Sequence, residues 1–382
     1  MALLDGITEL IGFETLAGMV TELEEKLDRD FPAIRLFEEH GKQLDVGTDP
    51  RGNEIVVLDR EINTRDMPAM GTPDAPSIRT KAPGRGQRYE AMAHVAIHDV
   101  IPIKALKRTR RTGELLPNAP GIVRDRVTAL VRKAMRAKNF FATRVLTPTG
   151  VVMNSTNFPD SDITYTLAAP EITTNAIVAA SSIADPTVKF FSDNYTGSLH
   201  DIAEAMNNRS AYEPNLIIGR RKLYSALRGL DQINELIAGS ALVAQQLRNG
   251  PLQAGFNGSG NVENWWMWNQ FFQTLSGVVN PTKTAVQYWP DEDDIVALPS
   301  PEELENVLGW ATGVVDVPEN TIGFEGEIAE MSGEREGIAV YAYLPDPDPV
   351  VIKIVCRCSF FYYPTNPDAV QYVSNVVAGD IS

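Results

Sequence analysis

A single long helix is the feature that most restricts what this chain can fold into. Between residues 117 and 146, apolar residues recur at steps of four and three, which predicts one helix with a single apolar stripe. The stripe consists of Val123, Val127, Leu130, Ala134, Ala137, Phe141 and Val145. Pro120 lies near the start of the helix, and Pro148 and Gly150 follow its end. Because such a rod is about 35 Å long and only one of its faces is apolar, we expect it to lie across a sheet.

A long segment rich in proline and glycine precedes this helix. Residues 49–100 contain two runs typical of strands, Glu54–Ile62 and Arg88–Ile97. Between these two runs lie four prolines and three glycines, which cannot build a packed core element: Pro68, Pro73, Pro76, Pro83, Gly71, Gly84 and Gly86. A connection of this length either has a function or is disordered. The flanking strands favour an extended two-stranded arm that lies on another surface.

The remaining patterns predict a mixed α+β fold. Residues 14–30 have the spacing of an amphipathic helix. A helix over residues 198–208, followed by a buried strand at Leu216–Gly219, indicates a small α/β unit. Near the carboxyl end, residues 350–361 alternate between apolar and more polar side chains, which is typical of a long half-buried strand.

Charge is distributed unevenly along the chain. The formal net charge is -16, yet residues 104–144 hold twelve basic residues and two acids. Residues 1–40 hold ten acids and three basic residues, and residues 281–382 hold eighteen acids and four basic residues. This asymmetry indicates that the basic segment meets nucleic acid or the acidic parts of neighbouring copies, and a solvated basic face is the alternative. No membrane partner is expected, because no stretch approaches about 18 consecutive apolar residues.

Motifs of enzymes and cofactor sites are not found. The sequence contains no phosphate-binding glycine loop, dinucleotide fingerprint, HExxH motif or GxSxG elbow, so we predict no catalytic, cofactor-binding or metal-binding residues. Cys356 and Cys358 are two residues apart on one face of a predicted strand and bond poorly to each other. His94 and His98 are expected to share a face only in a helix, whereas their run is expected to be extended, so we interpret them as structural or exposed.

Two further clusters are interpreted as structural. Three tryptophans within residues 265–268 lack the interleaved basic residues that stacking on single-stranded nucleic acid needs, so core or subunit-contact packing is predicted. Four adjacent acids at residues 291–294 could hold a hard cation, but no EF-hand spacing is present and we expect a solvated turn.

The order of these elements resembles the major capsid protein of tailed bacteriophages, in particular the lambda-like major capsid protein E family with its Hong Kong 97-type fold. The resemblance covers most of the chain and is carried by four runs. These runs are IVRDRVTALVRKAMRAKNFFATRVLTPTG, EPNLIIGRRKLYSAL, WPDEDDIVAL and DPDPVVIKIVCRCSFFYYPTNPDAV. None of them is a catalytic motif.

The resemblance implies an α+β Hong Kong 97-type capsid fold with five parts. These are an N-arm over residues 1–48, an extended E-loop hairpin over residues 49–100, a peripheral domain over residues 101–197 with the spine helix at 117–146, an axial domain over residues 198–345, and a carboxyl-terminal strand over residues 346–382 that returns to the peripheral domain.

The resemblance also implies a major capsid protein that self-assembles into hexamers and pentamers of an icosahedral shell enclosing double-stranded DNA. Basic residues of the arm and the helix are then expected to contact neighbouring copies: Arg79, Lys81, Arg85, Arg88, Arg124, Arg126, Arg132, Lys133 and Arg136. Implied partners are copies of the chain itself, a separate scaffolding protein, a portal and a decoration protein, with non-specific proximity to packaged DNA. The protein is expected in the virion, after synthesis in the host bacterial cytoplasm.

Three other interpretations stay open from the sequence. An encapsulin-like nanocompartment shell protein would share the architecture. A basic-helix nucleic-acid-binding protein would act as a monomer or dimer, and its affinity for DNA would fall steeply with salt. An enzyme without recognisable motifs is the third.

Overall fold

The computed structural model describes residues 9–27, 31–48, 50, 54–62, 84–106, 115–148, 150–153, 165–168, 195–220, 264–267, 270–276, 282–289, 294–315, 317, 321–322, 337–344 and 351–374. Its α-helices are α1 (Phe13–Leu27), α2 (Pro32–His40), α3 (Ile103–Leu106), α4 (Ala119–Arg144) and α5 (Tyr195–Ser210). Its strands are β1 (Lys42–Gln43), β2 (Val46–Thr48), β3 (Glu54–Ile62), β4 (Gly84–Ala91), β5 (Ala93–Pro102), β6 (Val151–Met153), β7 (Tyr165–Leu167), β8 (Leu216–Gly219), β9 (Asn264–Met267), β10 (Gln270–Ser276), β11 (Thr282–Trp289), β12 (Ile295–Leu298), β13 (Leu308–Thr312), β14 (Ile338–Tyr343), β15 (Val351–Pro364) and β16 (Gln371–Val373). The predicted α+β class is confirmed. Among the described helices, none is long and apolar enough to cross a membrane.

The predicted long helix is confirmed as α4, which has 26 residues. Every residue of the predicted apolar stripe, from Val123 to Val145, is buried, and the helix packs on β15 and β5. Toward its carboxyl end the buried surface widens, because all residues from Ala137 to Thr143 are buried. The ring of Phe141 lies there, with its centroid 5.5 to 6.2 Å from four other rings, those of Tyr165, Phe360, Phe361 and Tyr362. Burying each such side chain contributes about 1.5–3 kcal/mol, so aromatic packing holds the helix on the sheet.

Strand β15 is the centre of the main sheet. One of its edges pairs antiparallel with β5, from Val351 opposite Pro102 to Phe360 opposite Ala93. Its other edge pairs with β14 and then with β13, and β1 pairs parallel with β13. Since β13 and β14 lie within residues 198–345, the main sheet combines strands from that segment with the carboxyl-terminal strand.

Side chains of β15 alternate between two differently covered faces. Cys356 and Cys358 point into the main core under α4, and no disulfide bond joins them. Val355 points the other way and joins Tyr341 in a small separate cluster. The prediction of a half-buried strand therefore holds for the first part of β15. It is wrong for Ser359 onward, where every residue of the strand is buried, because the arm covers the second face there.

A second sheet has the strand order β16, β12, β8, β9 and includes the strand predicted at Leu216–Gly219. Asp294 immediately precedes β12, is 5% exposed and accepts a hydrogen bond from the Tyr372 hydroxyl. The predicted solvated turn is therefore wrong for Asp294, because β16, far away in sequence, pairs with β12 and brings a donor to this carboxylate. The other three acids of the cluster lie outside the described residues. Trp266 is partly buried against the main core, which confirms core packing for this tryptophan.

Helices α1 and α2 pack on α4 of the same chain. Lys138 of α4 is 0% exposed, and its Nζ lies 3.1 Å from Oε1 of Glu38 in α2. The Tyr362 hydroxyl donates to the same oxygen at 2.5 Å. The amide of Ala33 donates to Oδ1 of Asn139 at 3.3 Å. Because a buried ammonium group is tolerated only with such partners, this polar cluster fixes how α2 sits on α4.

Replacing Lys138 with alanine is expected to destabilise the subunit by about 3–5 kcal/mol, because the Glu38 carboxylate would lose its cation in a largely buried site. The double variant Lys138→Met/Glu38→Gln removes both charges and should recover much of this loss. Urea unfolding measures the free energies. The exposed Lys133 on the same helix provides the control Lys133→Ala, expected to change stability by less than about 0.5 kcal/mol. A Lys138→Ala effect as small as the control would contradict the anchoring role.

Candidate functional site: the arm and the basic face of the long helix

The predicted two-stranded arm is present as an antiparallel pair of β3 and β4. Eight residue pairs join the strands, from Ile55 opposite Ala91 to Ile62 opposite Gly84. Strand β2 adds a third strand beside the start of β3. Residues 63–83, between the two strands, lie outside the described residues. The predicted second run, Arg88–Ile97, is divided by Met92, so that its first part belongs to the arm and its second part to the main sheet.

The root of the arm is the end at which Glu54 begins β3 and Ala91 ends β4. On the side of β4, the root is attached to the rest of the subunit. The Tyr165 hydroxyl of β7 donates to the carbonyl oxygen of Ala91 at 2.8 Å. Burial raises the pKa of Tyr165 above its usual value, and the nearby negative charge of Glu90 raises this pKa further. The Tyr165 hydroxyl therefore remains a protonated donor into the alkaline range, and it holds the last residue of β4.

On the side of β3, the root is attached through Glu54. Its Oε1 accepts a hydrogen bond from the amide of Val314 at 2.6 Å, and its Oε2 accepts one from the Ser359 hydroxyl at 2.9 Å. The carbonyl oxygen of Glu54 also accepts a hydrogen bond from the amide of Met92 at 3.3 Å. Both strands of the arm are thus bonded to the rest of the subunit at their common root.

The structure locates only part of the predicted basic contacts on the arm. Arg79 and Lys81 lie outside the described residues, and Arg85 is described only as part of β4. Arg88 forms an ion pair with Glu90, and its Nη1 donates to the Tyr363 hydroxyl at 3.3 Å. Its guanidinium carbon lies 5.8 Å from the centre of the Tyr363 ring. Arg88 therefore contributes to the root of the arm within its own chain.

Two of the predicted residues on α4 have acidic partners in the same chain. Nη2 of Arg124 is 2.9 Å from both carboxylate oxygens of Glu22 in α1. Nη1 of Arg126 is 2.9 Å from Oδ2 of Asp99 in β5. These pairs are substantially exposed, so each contributes about 0–1 kcal/mol. Glu22 and Asp99 could not be recognised as partners from the sequence, because both are distant from their arginines along the chain.

The other three residues form a separate exposed ridge on α4. Arg132, Lys133 and Arg136 are all exposed, and their spacing of three and four residues places them side by side on the helix. Among the described residues, no acid forms an ion pair with any of them. We name these three residues the basic ridge.

The two histidines agree with the interpretation based on sequence, because their run is extended and both side chains are exposed. His94 and His98 are both exposed in β5, where the burial pattern alternates residue by residue. The expectation that they share a face only in a helix is wrong, because residues four apart also share one face of a strand. Four residues along a strand span about 13 Å, too far for one metal ion to bind both side chains. In the described part of the chain, no group of three or more His, Cys, Asp or Glu residues could hold a metal ion.

Comparison with known proteins identified one sequence family. The family described as "Phage major capsid protein E" matches residues 46–372. No curated protein matches the sequence.

Several solved structures are similar in shape at low sequence identity. A phage-related protein from Bordetella bronchiseptica RB50 is 12% identical, with 89% of this chain and 92% of that chain covered and a TM-score of 0.45. The mature capsid of bacteriophage PhiM1 is 13% identical, with 87% and 85% covered and a TM-score of 0.45. A virus-like particle from Pyrococcus furiosus is 12% identical, with 95% and 99% covered and a TM-score of 0.39. With TM-scores this low, the assignment to a family rests on the sequence match alone.

The raised pKa of Tyr165 predicts how stability depends on alkaline pH. Tyrosine in the unfolded chain ionises near pH 10, whereas folded Tyr165 ionises only at higher pH. Its contribution is therefore complete below about pH 10 and is lost as the pH rises through the folded-state pKa. Urea unfolding between pH 7 and pH 11 should show that Tyr165→Phe costs about 1 kcal/mol at pH 7 but flattens the alkaline loss. Tyr89, which is 58% exposed, provides the control Tyr89→Phe. An alkaline slope unchanged by Tyr165→Phe would contradict the prediction.

Proposed function

The chain belongs to the phage major capsid protein E family, and from this premise we propose that it is the subunit that builds the shell of a phage head. Copies of the chain assemble into hexamers and pentamers of an icosahedral capsid that encloses double-stranded DNA. The match over residues 46–372 is the observation that supports this proposal. The function is structural, and no catalytic step is assigned to any residue.

The arm is the proposed main assembly element. At about 3.4 Å per residue, the nine residues of β3 extend about 30 Å from the root. An arm of this length can bury much more surface against a neighbour than a compact face can, and obligate assemblies bury more than about 2,000 Å². Arg79, Lys81 and Arg85 are proposed to meet acidic surfaces of adjacent copies, and Arg88 is proposed to contact them beside the root.

The basic ridge is the proposed second contact surface. Arg124 and Arg126 already have carboxylate partners in their own chain, so their contacts with another copy would be shared with Glu22 and Asp99. The ridge residues are exposed, and acidic surfaces abound in a chain of net charge -16. Complementary charge at such a surface selects partner and orientation more than it adds affinity.

The proposal extends to the parts and partners of the particle. Residues 1–48 are proposed as the N-arm, 49–100 as the E-loop, 101–197 as the peripheral domain, 198–345 as the axial domain and 346–382 as the returning strand. A separate scaffolding protein, a portal and a decoration protein are proposed partners, and contact with packaged DNA is non-specific. The protein is proposed to be made in the host bacterial cytoplasm and to reside in the virion.

Deleting Met67–Gly86 is expected to leave a folded subunit that no longer forms shells, because the deletion shortens the arm without touching its root. Sedimentation and negative-stain imaging of the intact chain should show hollow particles or ring-shaped capsomers, and circular dichroism should show the deleted chain folded. Normal shells from the deleted chain would refute the role of the arm.

A monodisperse monomer of the intact chain under all conditions, including with scaffold, would refute the shell function. Salt-dependent DNA binding by such a monomer would favour a nucleic-acid-binding protein instead.

Reversing the charge of the ridge tests the second surface separately. The variant Arg132→Glu/Arg136→Glu should fold normally, because both side chains are exposed, but should form shells with a yield lowered about tenfold or more. The control Lys42→Glu/Lys104→Glu makes the same change of charge at two exposed lysines away from the ridge. Equal yields from the two variants, measured by sedimentation, would show that the ridge has no specific role.

A further inference from the structure

The arm and the main sheet are joined by an almost continuous strand. Strand β4 ends at Ala91 and β5 begins at Ala93, so only Met92 separates the arm from the main sheet. A single residue between two strands would act as a hinge if nothing else held the arm. On the neighbouring strand of the arm, Glu54 is the first residue of β3 and lies next to Met92, whose amide donates to its carbonyl oxygen at 3.3 Å.

The side chain of Glu54 bridges the arm to β15 of the main sheet and to the segment that follows β13. Its bond from the amide of Val314, at 2.6 Å, comes from the segment that follows β13. Its bond from the Ser359 hydroxyl, at 2.9 Å, comes from β15. Hydrogen bonds to a carboxylate are roughly twice as strong as neutral ones, so this side chain is well suited to hold the root of the arm in one orientation.

The surroundings of Glu54 are shaped to receive its carboxylate. A Cβ atom on Gly313 would overlap the carboxylate oxygen Oε2 and the Ser359 hydroxyl oxygen, so only glycine leaves room there. The amide of Gly313 donates to the carbonyl oxygen of Ser359 at 3.2 Å, and the amide of Ser359 donates to the carbonyl oxygen of Gly337 at 3.0 Å. Gly337 has a φ of 61°, a conformation that glycine adopts without strain. Ser359 is thereby fixed on both sides while it donates to Glu54.

We propose that Glu54 is the positioning residue of the arm: its carboxylate, seated against Gly313 and bonded to Val314 and Ser359, sets the direction in which the arm leaves the subunit. This inference rests on the proposed function for its consequence, since a neighbouring copy can receive the arm only in one direction. A deviation of about 10° at the root displaces the end of a 30 Å arm by about 5 Å, which is enough to lose a strand register. Tyr165 and Arg88 hold the root beside β4, and Glu54 provides the corresponding hold on β3.

Distances between two spin labels in the full-length chain test the proposal without requiring shells. Cys356 and Cys358 are 0% and 2% exposed, so a thiol-reactive label goes to introduced cysteines. Gln87→Cys places one label on the arm, and Ala129→Cys places the other on the exposed side of α4. Labelled chains are diluted with unlabelled chains so that only distances within one subunit contribute.

A narrow distance distribution is expected with Glu54 in place. Glu54→Ala should broaden it about twofold or more, and Glu54→Gln and Ser359→Ala should broaden it less, because each leaves part of the bonding intact. Gly313→Ala should resemble Glu54→Ala, since the added methyl group displaces the carboxylate. The matched control is Glu305→Ala, an exposed glutamate away from the arm. The unfolding temperatures of Glu54→Gln and Ser359→Ala should stay close to that of the original chain.

The yield of shells from the same variants completes the test. Yields that fall in the order in which the distributions broaden would support the proposal. An unchanged distance distribution in Glu54→Ala would overturn it, whether or not shells form. Normal shells from subunits with a broadened distribution would also overturn it. If the original chain forms no shells at all, the proposed function fails, while the distance measurements still decide whether Glu54 orients the arm.

Discussion

The alternation of side chains along β15 is the constraint on which the rest of the structure depends. Its residues on one face, such as Cys358 and Phe360, pack under α4, whereas Ser359 and Tyr363 on the other face meet the root of the arm. A slip of one residue in register would exchange the two sets and place polar groups under the helix. The same strand also pairs with β5, β13 and β14, so one run of fourteen residues positions the helix, the sheet and the arm together.

Electrostatics within the subunit explains part of the uneven charge of the sequence. Three cations of α4 bind acids of the same chain: Lys138 in a buried cluster, and Arg124 and Arg126 at the surface. Only the buried pair can strongly affect stability, because exposed ion pairs are screened by water and salt. The acidic start of the chain and the basic helix therefore complement each other first within one copy, and the basic ridge is a distinct exposed surface on that helix.

Elements with a strong repeating pattern could be predicted from the sequence, and contacts between distant segments could not. The stripe from Val123 to Val145 predicted α4, and period-two alternation predicted β15. Two extended runs on either side of a segment rich in proline and glycine predicted the two-stranded arm. Nothing local predicted that β16 would cover Asp294, or that Glu54 would reach Ser359, 305 positions away. Hydrogen-bond partners of this kind follow from the tertiary arrangement, which leaves no periodic signature in the chain. The basic residues of the candidate surfaces were recognisable as charge, but their division into paired residues and the ridge needed the fold.

In a shell of identical copies, electrostatic repulsion between free subunits is balanced by the contacts that the arm is proposed to make. A net charge of -16 keeps free subunits apart, because like charges oppose non-specific association. Assembly then requires contacts that are geometrically specific and bury a large area, which an arm can supply only if its direction is fixed before it docks. A pre-oriented arm loses less conformational freedom on binding than a freely moving one, so more of the contact energy remains as affinity. Under the proposed function, bonding at the root of the arm therefore contributes to assembly by fixing the direction of the arm before it docks.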